Sequence, residues 1–85
     1  MRFEIQLFGA LREAEPSARL VLDAAAATVA ELRAAVAAAV TPRWPGDALA
    51  LLPHSAFASE RSVLRDADPV PTDGRLALLP PVSGG

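Results

Sequence analysis

Apolar and polar residues alternate at the start of the chain. Phe3, Ile5 and Leu7 are separated by Arg2, Glu4 and Gln6, the period of two that sends alternate side chains to opposite faces of a strand. The pattern predicts a first strand over residues 2 to 8 with one buried face. Gly9 breaks it. Ala10 to Glu15 reads as a short helical turn stopped by Pro16, because a proline pushes the preceding residue out of the helical region. Arg19 to Leu22 is short and branched enough for a second strand, only a few residues after the first.

At Thr28 the period changes. Thr28 followed by Glu31 has the spacing of a capping box, in which the hydroxyl accepts the third amide of the helix and the carboxylate reaches back to the cap. Val29, Leu32, Val36 and Val40 then recur on one helical face, with Glu31 and Arg33 pointing away, so a helix is predicted to about residue 40. Pro42 and Pro45-Gly46 end the only long helix that the pattern supports. Leu49 to Leu52, an apolar run between Gly46 and Pro53, reads as a buried strand. Ser62 to Arg65 reads as a short edge strand. Asp66 to Gly74, with Pro69, Pro71 and Asp73-Gly74, reads as loop and turn, and Arg75 to Leu79 as a last strand.

The helix between strands two and three must lie across one sheet face to bury its apolar stripe. The class is α+β. The expected arrangement is a β-grasp, or ubiquitin-like, mixed sheet with one long helix on one face; the periodicity also permits another small α+β roll. No repeat or linker interrupts the chain, so residues 1–79 are expected to form one domain and residues 80–85 an extended tail. First and last strands of a β-grasp are parallel neighbours. Phe8 and Leu79 are each out of phase with the inward residues of their strands, which predicts them side by side on the uncovered face, as an apolar docking patch beside the tail.

Composition narrows the function classes. A chain of 85 residues buries only somewhat over half of its unfolded surface and has little room for a deep enclosed cleft. It contains no cysteine, which removes disulfides, thiolate nucleophiles, iron-sulfur clusters and the usual zinc sites. The formal charge is −2, and the eight basic residues, all arginine, are scattered, unlike the clustered cations of a nucleic-acid surface. Without lysine the chain offers no side-chain amine for isopeptide attachment. No run approaches the length of a membrane span, and the alternating start is unlike a signal peptide, so a cytoplasmic protein is the expectation.

The candidate chemistry sits at the end. Gly84-Gly85 follows Pro80-Pro81-Val82-Ser83: two residues without Cβ make a strip thin enough for a narrow channel, and the prolines before them favour an extended path from the last strand. The carboxylate of Gly85 is unshielded and is the expected reactive group, with Gly84 as its approach. Other candidates are weaker. His54 and Ser55 are adjacent and lack an orienting carboxylate. Asp66, Asp68 and Asp73 are interrupted by Pro69 and Pro71 and lack the closing glutamate of a calcium loop, which favours a solvated loop; no metal is expected. No glycine-rich phosphate loop is present.

Phe8-Gly9-Ala10-Leu11-Arg12-Glu13, Thr28-Val29-Ala30-Glu31-Leu32, Thr72-Asp73-Gly74 and the ending Pro80-Pro81-Val82-Ser83-Gly84-Gly85 together resemble the molybdopterin synthase small subunits, a family of ubiquitin-like sulfur carriers. The resemblance spans nearly the whole chain, and its most specific part is the ending. It implies that a ubiquitin-activating-like enzyme uses ATP to adenylate Gly85, that sulfur replaces an oxygen to give a thiocarboxylate, and that the large synthase subunit uses this sulfur to build the dithiolene of molybdopterin. On that reading the chain is a non-catalytic carrier that binds no cofactor, catalysis sits on the large subunit, and the complex is a heterotetramer. Each tail, with Pro80, Pro81, Val82 and Ser83, would enter a large-subunit pocket while Phe8 and Leu79 dock. Two departures, Pro16 and the segment Pro53 to Glu60, fall in predicted loops. The alternatives are a carrier for thiamine or cysteine synthesis, which the Pro-Pro base and Leu-Arg-Glu disfavour, a protein modifier joined through Gly85, or a ubiquitin-like binding module.

Overall fold

The computed structural model describes residues 1–81. Strands β1 (Arg2–Leu7), β2 (Arg19–Asp23), β3 (Ala56–Ala58) and β4 (Arg75–Leu79) form one mixed sheet in the order β2-β1-β4-β3. β1 pairs antiparallel with β2, Ile5 opposite Leu20, and parallel with β4, Leu7 opposite Leu78; β3 pairs antiparallel with β4, Phe57 opposite Leu78. Paired residues share a face, so this register gathers Phe3, Ile5, Leu7, Leu20, Phe57, Leu76 and Leu78 on one side, all of them buried. Helix α1 (Val29–Val40) joins the same core through Val29, Leu32, Val36 and Val40. This is the β-grasp arrangement, with first and last strands as parallel neighbours.

The start of α1 shows why the helix forms where it does. A helix leaves its first amides without internal partners. Here Val29 N–H donates to the Asp68 carbonyl and Ala30 N–H to the Asp66 carbonyl, both at 3.0 Å, while Glu31 N–H donates to Thr28 Oγ1 at 3.3 Å. The Glu31 carboxylate in turn accepts from the amides of Ala27 at 2.7 Å and Thr28 at 3.4 Å. The capping box is thus complete, and the loop 66–68 finishes it. That loop has its own lock: Asp68 Oδ2 accepts Arg65 N–H at 2.8 Å. This hydrogen bond holds the Asp68 carboxyl below its ordinary value, against the opposing effect of partial burial and with help from the Arg65 charge.

Several sequence expectations are overturned. Leu49 to Leu52 is not a strand: Gly46–Leu51 is helix α2, continued by a 3-10 turn over Leu52–His54. Ala48 and Leu52, four apart, are the buried positions while Leu49 and Leu51 are half-buried, a helical rather than an alternating pattern. The run has no β-branched residue and is rich in Ala and Leu, the better helix formers; length and flanking turn residues alone could not separate the two readings. The third strand lies instead at Ala56–Ala58, inside the segment read as loop. It is only 3 residues long, too short for a period to show.

Ser62 to Arg65 is not a strand either. Ser59 Oγ accepts the amides of Arg61 and Ser62 at 3.2 and 3.3 Å, which folds the chain into a tight turn. Only an isolated bridge between Ala58 and Val63 remains, followed by Leu64 N–H donating to Phe57 O at 2.8 Å.

Arg33 does not project into solvent as its position in the pattern suggested. Its side chain is 20% exposed, and Nη1 donates to the carbonyls of Leu52 at 3.0 Å and Ser55 at 2.7 Å. Nη2 meets Asp66 Oδ1 at 3.0 Å, and the guanidinium carbon lies 5.2 Å from the Phe57 ring centroid. Arg33 sits one residue, about 100° of helix, beyond Leu32. A long side chain on the flank of the buried stripe can reach back over the core rim.

Candidate functional site at the end of the central strands

β1 and β4 run in the same direction and end together. Phe8, the residue before the 3-10 turn Gly9–Ala14, keeps an extended backbone and donates its N–H to Leu78 O at 3.2 Å. Since Leu7 stands opposite Leu78, the next step of the register sets Phe8 opposite Leu79. Alternation puts both on the side away from α1. Phe8 is 40% exposed and Leu79 half-buried, so by this register the two lie on one face at the root of the tail.

The register also identifies members of this surface that the sequence reading did not. Leu79 pairs with Ala56, and Ala77 with Ala58, so the outer side of β3 and β4 carries small residues beside Leu79, of which Ala58 is buried. Val63, bridged to Ala58, extends the apolar surface past β3 and is 62% exposed. Ala56 and Ala58 were missed because β3 itself was not legible. Further from the tail the same face turns polar: Glu4 pairs with Arg75 in register and meets Arg19 at 3.5 Å. On the other flank of Phe8 a recess of about 380 Å³ is lined in part by Gln6, Arg12, Ser17 and Arg19. The arrangement suits a protein surface with an apolar centre and a charged rim.

Pro80 follows β4 directly and is half-buried, and Pro81 is exposed. Val82, Ser83, Gly84 and Gly85, the remaining candidate residues, lie outside the described residues.

The weaker candidates are engaged elsewhere. Ser55 is buried, and its hydroxyl donates to the Leu51 carbonyl at 2.8 Å, closing the end of α2 rather than facing a base. Asp66 is paired with Arg33, Asp68 with Arg65, and Asp73 Oδ1 accepts Arg75 N–H at 3.0 Å. Among the described residues no three metal-binding side chains converge, and no helix is long and apolar enough to cross a membrane.

Comparison with known proteins gives consistent matches. A family model described as the ThiS family matches residues 5–85. The molybdopterin synthase sulfur carrier subunit of Synechococcus elongatus is 45% identical over 83 residues, covering 92% of this chain and 90% of that protein. Among solved structures, SAMP1 from Haloferax volcanii is similar with a TM-score of 0.67 at 29% identity, and each chain is covered in full.

Proposed function

The chain belongs to the ThiS family, and from that membership we propose that it is the sulfur carrier subunit of a molybdopterin synthase. The observation that carries the reading is the 45% identity, over 92% of this chain, to a protein of that name. The ending Pro80 to Gly85 and the apolar surface at its root support it.

The chemistry asks little of the domain and much of its end. A carboxylate is a poor electrophile. Attack of a Gly85 carboxylate oxygen on the α-phosphorus of ATP, on an adenylating partner, forms an acyl adenylate and releases pyrophosphate. Hydrosulfide then adds at the acyl carbon and AMP leaves with the carboxylate oxygen it had captured, so one sulfur takes the place of one oxygen with no change of oxidation state. The resulting thiocarboxylate is carried to the large synthase subunit, where the sulfur passes to the pterin. In this scheme ATP is held by the adenylating partner, and this chain supplies a reach, a docking surface and an unshielded acyl group. Phe8 and Leu79 are the proposed docking residues, and Pro80 to Ser83 occupy the partner's channel.

The test is intact-mass measurement after incubating the chain with an adenylating enzyme, ATP and a sulfur donor. Replacement of one oxygen by sulfur, abolished by deleting Gly85, is the expected result. An unchanged mass, or an adduct linked to lysines of other proteins, would overturn it.

A further inference from the structure

Gly9 has a positive φ of +57°, and a Cβ built on it would lie 2.7 Å from Pro80 Cγ and 3.4 Å from Pro80 Cδ. Two requirements therefore meet at one residue: a left-handed backbone and an empty space filled by the proline ring. The first does not by itself demand glycine in this protein, since Ala18 holds φ 56° with a side chain. A non-glycine residue tolerates that region at a modest cost. What a side chain at position 9 cannot do is share the space with Pro80, because carbon atoms 2.7 Å apart are well inside van der Waals contact.

We propose that Gly9 is a positioning residue for the reactive tail: it is the seat of Pro80 and sets the direction in which the chain leaves β4. The proposal rests on the sulfur carrier reading and adds to it a residue outside the tail. Pro80 is the first residue past the sheet, so ladder hydrogen bonds hold its predecessor while Gly9 holds its ring. With φ of the proline already fixed, little freedom remains at the root. The five residues beyond Pro80 span at most roughly 17 Å. A change of direction at the root alters where the chain beyond it can reach, and acyl chemistry is sensitive to errors of about 1 Å.

The experiment measures steady-state thiocarboxylation, with the full chain as the varied substrate, for wild type, Gly9→Ala, Pro80→Ala and the double variant. Thermal unfolding of each is recorded in parallel. In Gly9→Ala, kcat should fall by about tenfold or more, while KM, governed by docking of the sheet face, stays within about twofold. The backbone penalty of Gly9→Ala persists in the double variant but the collision does not. Adding Gly9→Ala to Pro80→Ala should therefore lower kcat by less than about twofold. A kcat loss equally large in both backgrounds, or a Gly9→Ala chain thiolated at the wild-type rate, would overturn the seat. If Gly9→Ala fails to fold, NMR of the wild-type chain decides: cross-peaks between Gly9 Hα and the Pro80 ring protons support the seat, and their absence removes it. Failure of the wild type itself to take up sulfur would instead sink the carrier reading.

Discussion

Arg33 shows how one side chain can join elements that are distant in sequence. Its guanidinium satisfies two carbonyls at the end of the α2 segment, pairs with Asp66 in the loop that caps α1, and lies over Phe57 of β3. Truncation would remove the donor to the part-buried Ser55 carbonyl, while Leu52 O keeps Ser55 N–H at 3.2 Å; the unsatisfied group costs about 1–3 kcal/mol, in addition to the lost ion pair and ring contact. Arg33→Ala is therefore expected to lower unfolding free energy by about 2–4 kcal/mol in urea titrations. Arg33→Lys should recover less than half, because a single ammonium cannot reproduce the planar fork. Asp68 gives a pH-dependent counterpart. Its folded-state value is depressed below the ordinary 3.8, first by the Arg65 amide, so its contribution is present at neutral pH and disappears as pH falls through the folded value. An Asp68→Asn chain should be less stable than wild type near neutrality, and the gap should close in acid; a gap independent of pH would contradict this.

At the scale of elements, legibility followed the length of the periodic signal. β1 and α1 could be read because each repeats its period, with Thr28 and Glu31 capping the helix, and β2 and β4 as short branched or apolar runs bounded by turn residues. Thr28→Ala should lower stability by about 1 kcal/mol, as judged by the urea midpoint at unchanged m-value. Much of the helix start would survive, since the carbonyls of Asp66 and Asp68 still satisfy two of its amides. The stretch from Gly46 to Ala58 was misread because its decisive facts are not periodic. α2 has 6 residues and β3 has 3, and what places β3 on β4 is Phe57 facing Leu78, a contact between residues far apart in sequence. The turn at Ser59 likewise depends on a hydroxyl capturing two amides, which the residue types permit and do not dictate.

The whole molecule divides its work between two faces. One holds α1 and the core, and tolerates little change. The other carries Phe8, Leu79, Ala56, Ala77 and Val63 near the tail, and charged Glu4, Arg19 and Arg75 beyond. The parallel pairing of β1 and β4 was readable from the sequence, and alternation then sets Phe8 and Leu79 on one face; the positions of the alanines and Val63 were not readable, since they depend on β3. If this face docks the large subunit of the synthase, Phe8→Glu places a charge in an apolar contact, where it must either remain hydrated or be buried unpaired. The free chain loses little, because Phe8 is already 40% exposed and its backbone bond to Leu78 does not involve the ring. Its unfolding free energy should stay within about 0.5 kcal/mol of wild type. Affinity for the large subunit, measured calorimetrically, should fall by about 2 kcal/mol or more, roughly thirtyfold. Val63→Glu at the margin of the patch should lose less, as a rim position does. Equal losses at both sites would place the centre of the contact elsewhere, and unchanged affinity for Phe8→Glu would remove this face as the docking surface.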